Sequence, residues 1–209
     1  SNEQLWIYIT SGSTELRLPS VEVGLYPQTV LEKLPESLTI SVEDFKNCID
    51  KTLFAAMTNE SRRNLMGVCL SSTNDGKTRW ISTDGHRLAQ VLKSVDEQVF
   101  EKGNEVIVPR KALTEVRRTA DMFGKIVKIS FDSRVMQFSG QNITYKTRLI
   151  EGNFPNCDPI IPKDNNLEIR VNRENFINSL RIVSSISMEK LRPVKLIISQ
   201  GILRLESEK

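Results

Sequence analysis

The stretch "ISTDGHRLAQ", residues 81–90, holds the only histidine in the chain, with Asp84 two places before it and Arg87 directly after. A carboxylate beside an imidazole could do general acid–base work, and a hydrolase using Asp84 and His86 is one reading. Such a pair needs a nucleophile or metal within reach and a group that fixes the imidazole tautomer. The sequence offers no Gly-x-Ser-x-Gly turn, second histidine or phosphate-cradling glycine loop to go with it. Asp84-Gly85 also suits a two-residue hairpin turn, whose central positions call for positive φ. Turn chemistry accounts for Asp84, but a turn does not require the His-Arg pair that follows. The three cysteines, Cys48, Cys69 and Cys157, lie far apart and form no Cys-x-x-Cys pair. A zinc site would have to be filled with carboxylates, so the expectation is buried reduced thiols, no metal and no other cofactor.

The elements that must position these residues are soluble-protein elements. Of 209 residues, 39 % are hydrophobic and 26 % charged, with a formal net charge of +3. That balance is unlike a disordered chain, too weak to announce nucleic acid, and too mixed for a membrane-surface helix. No apolar run approaches the roughly 18 residues a membrane span needs, and no signal peptide is present, so a cytoplasmic protein is expected. The opening Ser1-Asn2, without methionine, reads as the scar of a cleaved tag on an internal piece of a longer protein.

The chain repeats itself. "LTISVEDFKNCIDKTLFAAM" begins at Leu38, "VIVPRKALTEVRRTADMFG" at Val106 and "LEIRVNRENFINSLRIVSSI" at Leu167. Each opens with alternating apolar residues and then changes to helical spacing. The predicted apolar stripes are Phe45, Cys48, Ile49, Leu53 and Ala56; then Leu113, Val116, Ala120 and Phe123; then Phe176, Leu180 and Val183. Ser41 with Asp44 resembles a capping box, Pro109 suits a first turn, and Asn172 can cap. After each helix come short alternating runs separated by turn signals, which read as hairpins. The unit is strand–helix–strand–strand–strand, about 65 residues long by the offsets between Ile40, Val108 and Val171. "GLYPQ" and "GNFPN" recur two units apart, so two units make a domain of ~130 residues. With its apolar side on the sheet, each helix turns its polar side to water. In the second unit that side carries Arg110, Lys111, Arg117 and Arg118, diluted by Glu115 and Asp121; in the first, Lys46 and Lys51 stand among Glu43, Asp44 and Asp50.

The repeat, "TDGHRLA" followed by "VPRK", the "LIEGNFPN" segment and "NFINSLRIVSSISMEKLRPVKLII" closely resemble the bacterial DNA polymerase III beta subunit, the sliding clamp. The similarity runs in order over essentially residues 3 to 207. It implies an α+β DNA clamp fold of repeated β-α-β-β-β units, two per domain, with helices on one face of antiparallel sheets. Residues 1–36 would be the C-terminal part of a first clamp domain, 37–164 a complete second, and 165–209 the N-terminal part of a third.

The resemblance also implies a non-enzymatic processivity factor, a homodimeric ring in full-length form that encircles duplex DNA without reading its sequence. Weak basicity fits such a role, because every phosphate neutralised releases counterions and tightens the hold. The expected DNA contacts are Arg110, Lys111, Arg117 and Arg118 with Arg62, Arg63 and Asn64 of the "NESRRN" loop. The expected partners are the polymerase III alpha subunit, the clamp loader and other proteins carrying a clamp-binding peptide. Carried over by position, the peptide groove comprises Leu65, Thr83, Gly85, His86, Arg87, Leu88, Pro155, Ile160 and Leu191. Pro159 stands where an arginine is common and Leu191 where an aromatic is known, which bears on peptide preference. A sequence-specific nucleic-acid reader is the remaining alternative; the low net charge and the lack of a recognition helix or stacking aromatics stand against it.

Overall fold

The computed structural model describes residues 5–25, 34–59, 61–94, 105–186 and 194–207. It divides into two compact units, Ser1–Pro155 and Asn156–Lys209.

In the first unit a strand β3 (Glu36–Ser41) runs directly into helix α1 (Val42–Thr52). Ser41 caps the helix by accepting from the Asp44 N–H at 3.1 Å, while the Asp44 carboxylate takes Lys93 at 2.5 Å. The helical part of the predicted stripe stops at Thr52, and Leu53–Ala55 continues as one 3-10 turn. Strands β4 (Gly67–Ser72), β5 (Thr78–Thr83) and β6 (Leu88–Lys93) follow. The pattern then repeats as β7 (Glu105–Pro109), α2 (Arg110–Arg118), a 3-10 turn at Ala120–Phe123, and β8 (Ile126–Phe131), β9 (Val135–Ser139) and β10 (Thr144–Arg148). Pro109 occupies the position just before the first helical residue, where its fixed φ and missing N–H cost nothing.

The strands form two four-stranded antiparallel sheets, ordered β10-β9-β8-β3 and β6-β5-β4-β7. Each half thus lends its opening strand to the other half's sheet: β3 pairs with β8, and β7 with β4. Gly67 permits the second exchange, because a Cβ there would meet the Val108 carbonyl oxygen at 2.3 Å. Phe45 of α1 sits at the centre of the core, with ring centroids 6.0 Å from Trp80, 6.3 Å from Phe123 and 5.6 Å from Phe138. It therefore ties both halves to one hydrophobic cluster. An N-terminal hairpin, β1 (Leu5–Ser11) with β2 (Thr14–Ser20), presents exposed apolar side chains and stacks the Arg17 guanidinium 3.9 Å from the Trp6 ring centre.

In the second unit α3 (Arg173–Ile186) packs on a hairpin of β11 (Val194–Ser199) and β12 (Ile202–Ser207). Asn172 caps α3, accepting from the Asn175 N–H at 3.0 Å. The opening strand expected at Leu167–Val171 is absent, and its apolar residues are exposed. The physical reason follows from the first unit, where an opening strand pairs with the strand after the other helix. No described residue supplies that partner here, and an extended segment without a ladder is not a strand.

Among the described residues no helix is long and apolar enough to cross a membrane, and no cluster of histidine, cysteine and carboxylate side chains could hold a metal. All three cysteines are buried thiols, and burial pushes Cys48 up to about 11.

Candidate functional site

The β5–β6 hairpin places the Asp84–His86 pair, and its geometry corrects one expectation. Thr83 pairs with Leu88, so the connection is the four residues Asp84–Arg87 and not a two-residue turn. The cause is the Asp84 side chain. Its Oδ1 accepts from the backbone N–H groups of both His86 and Arg87 at 3.0 Å, and its Oδ2 accepts from Arg87 Nε at 3.0 Å. The Thr83 hydroxyl closes the base, donating to the Arg87 carbonyl at 2.7 Å and accepting from the Gly85 N–H at 3.1 Å. Gly85 has φ +89°, which a side chain would strain. The His86 N–H and these other donors hold the Asp84 carboxyl below its ordinary range.

Asp84 therefore grips the backbone of His86, not its ring, and the hydrolase reading loses its base–imidazole pair. The loop instead presents His86 and Arg87 to solvent, both exposed. Beside them stands a residue that sequence reasoning missed. Phe54 is 51 % exposed and lies 5.7 Å from the Arg87 guanidinium, ring centre to carbon. Its one signal was a large aromatic at the end of α1 outside the predicted apolar stripe.

The other carried-over groove residues are placed unevenly. Thr83 and Leu65 are buried, Leu65 to 3 % exposure, with the Leu65 carbonyl accepting from the Met57 N–H at 2.9 Å. Leu88 is half-buried and Pro155 exposed. Ile160 is exposed on the second unit, and Leu191 falls outside the described residues. Pro159 is exposed, in a 3-10 turn at Asp158–Ile160.

A second constellation forms on the polar sides of α1 and α2. The helices run antiparallel, since Lys46 pairs with Asp121 and Asp50 with Arg117. Arg117 is bidentate, Nε and Nη2 each 2.7 Å from an Asp50 oxygen. Arg118 pairs with Glu115 at 2.5 Å on its own helix. Arg110 turns inward: its guanidinium donates to the Leu53 carbonyl at 2.5 Å and the Ala56 carbonyl at 3.3 Å. It thus caps the 3-10 turn that follows α1, adding to the bond that the Leu53 carbonyl accepts from the Ala56 N–H, at the helix end where the dipole favours a cation. Lys111 is exposed and has no ion pair among the described residues.

The loop of Arg62, Arg63 and Asn64 comes to this same end of α2. Arg63, distant in sequence from Arg110 and Lys111, lines one cavity of about 760 Å3 with them and with Met57, Met66 and Glu115. Arg62 and Arg63 are exposed, and the Asn64 amide donates to the Asn153 carbonyl at 2.9 Å, anchoring the loop.

A family profile described as "DNA polymerase III beta subunit, central domain" matches residues 39–156, more than half of the chain. The chain belongs to this family. The beta sliding clamp of Caulobacter vibrioides is 31 % identical over 202 residues, 95 % of this chain and 54 % of the relative. That of Streptococcus pneumoniae is 31 % identical over 204 residues, 96 % of this chain and 53 % of the relative. The crystal structure of the Caulobacter crescentus beta sliding clamp superposes with a TM-score of 0.89 at 29 % identity, covering 100 % of this chain and 56 % of that one. The Bacillus subtilis DNA polymerase sliding clamp gives 0.86 at 26 % identity, over 99 % and 57 %. The α+β clamp fold that the resemblance implies is thus the observed one, and the chain spans about half the length of the curated relatives it matches.

Proposed function

We propose that this chain is part of a DNA sliding clamp, a cytoplasmic, non-catalytic processivity factor that holds a replicative polymerase on duplex DNA by encircling it. The observation that carries the reading is membership of the beta-subunit family over residues 39–156. In this reading residues 1–36 are the end of a first clamp domain, 37–164 a complete second, and 165–209 the start of a third. The full-length protein closes as a homodimeric ring.

The polar sides of α1 and α2, with the Arg62–Asn64 loop, face the duplex. Lys111, Arg62 and Arg63 meet phosphates directly, while Arg117 and Arg118 carry carboxylate partners of their own. Contacts of this kind position a duplex without reading its bases. The hairpin of Gly85, His86, Arg87 and Leu88 is the docking place for peptides of the polymerase alpha subunit, the clamp loader and other clamp-motif proteins. Exposed ring and guanidinium donors orient the peptide, with Phe54 and Leu88 as apolar surface. Thr83 closes the base of this hairpin, and Leu65 and Pro155 are assigned to the groove by resemblance.

The test uses the full-length ring loaded on circular DNA. Linearising the circle releases a topologically linked ring, whereas a protein held by chemical affinity stays bound and overturns the reading. In the same protein His86→Ala weakens binding of a partner's clamp-motif peptide while the fold is retained; unchanged affinity removes the hairpin from the groove.

A further inference from the structure

The polar face of α1 and α2 carries more cations than it offers to solvent. Arg117 spends both arms of its fork on the two oxygens of Asp50, and Lys46 is held by Asp121. The first pair joins α1 to α2 and the second joins α1 to the 3-10 turn after α2, linking residues 67 and 75 positions apart. Asp50 and Asp121 remain 51 % and 84 % exposed and their cations are partly covered, Arg117 36 % and Lys46 24 % exposed, so both pairs stay in contact with water. Exposed pairs of this kind add little to stability. They matter far more to a polyanion, because a cation that already has a counter-charge must give it up before it can displace ions condensed on a phosphate.

We infer that Asp50 and Asp121 act as masks, holding Arg117 and Lys46 in reserve so that a duplex against this face meets fewer available cations than the sequence carries. The inference rests on the reading that this face meets DNA, and it assigns residues that control how firmly. Lys111, Arg62 and Arg63, exposed and without ion pairs among the described residues, set the resting grip. Arg118 is intermediate, since its partner Glu115 lies one turn away on the same helix and its side chain is 75 % exposed. Arg110 is outside the scheme, being committed to the Leu53 and Ala56 carbonyls just after α1. The bidentate geometry makes Asp50 the stronger mask of the two.

The experiment is a salt titration of binding to a short, mixed-sequence linear duplex, followed by fluorescence anisotropy, with this whole chain and its Asp50→Asn variant. The substitution is isosteric and exposed, and an unchanged melting temperature verifies the fold. Unmasking Arg117 steepens the slope of log affinity against log salt by about one unit and tightens binding roughly five- to tenfold near 0.1 M salt. The same change is then made in an Arg117→Gln background, where the gain in slope disappears. Equal slopes for wild type and Asp50→Asn overturn the mask and leave the DNA-facing assignment standing. A gain of the same size without Arg117 also overturns it, because removal of a long-range negative charge then suffices. Absence of salt-dependent binding by the wild-type chain overturns the DNA-facing assignment itself, and the mask with it.

Discussion

Both oxygens of Asp84 are occupied, Oδ1 by the backbone N–H groups of His86 and Arg87 and Oδ2 by the Arg87 guanidinium. Asp84→Ala removes all three bonds and is expected to cost about 1–2 kcal/mol in urea unfolding. A carboxyl whose native pKa is depressed stabilises the fold when ionised. That contribution is complete above the unfolded value of about 3.9 and is lost as pH falls through the lower native value. Wild type minus Asp84→Asn stability should therefore shrink in acid below about pH 4. Arg110 and Lys111 separate two roles that the sequence merges. Arg110→Ala should lower unfolding free energy by about 1–3 kcal/mol, because it removes the charge-assisted bonds to the Leu53 and Ala56 carbonyls just after α1. Lys111→Ala should stay within about 0.5 kcal/mol and show its effect as a shallower salt slope for duplex binding. Successive residues on a helix point about 100° apart. "RK" alone therefore could not reveal which of the two meets carbonyls 54 and 57 residues earlier in the chain.

At the scale of elements, what is local was legible. The Ser41 and Asn172 caps, the first turns of the α1 and α2 stripes and the hairpin strands follow from short-range spacing, whereas Leu53, Ala56, Ala120 and Phe123, expected on the same helices, fall in or beside 3-10 turns. What depends on a distant partner was not. Leu167–Val171 alternates like a strand yet has no ladder among the described residues, and the wider Asp84–Arg87 loop turns on a side chain competing with the tight turn. Leu65, assigned to the groove by the resemblance, is buried, and its carbonyl accepts from Met57 N at 2.9 Å, a long-range contact that local spacing does not show. Phe45 shows how strongly one element can join the rest. It touches Trp80 from one sheet, Phe138 from the other and Phe123 after α2, so Phe45→Ala should cost about 3–5 kcal/mol by denaturant unfolding. Cys48, on the same helix face, should resist alkylation at neutral pH until the core opens, being buried and its thiolate disfavoured.

At the scale of the molecule, the repeat in the sequence shows two halves but not how they are laced. The ladder β3–β8 carries a strand of the first half into the second half's sheet, and β7–β4 does the reverse. Severing the backbone between Ser94 and Glu105 would leave two peptides, each holding the outermost ribbon of the other's sheet. The nicked protein should elute from gel filtration as a single species, and either peptide alone should fail to fold. Such mutual completion makes this region a ready split-protein pair. It equally lets two whole molecules trade ribbons at high concentration, giving an entangled dimer unrelated to any ring.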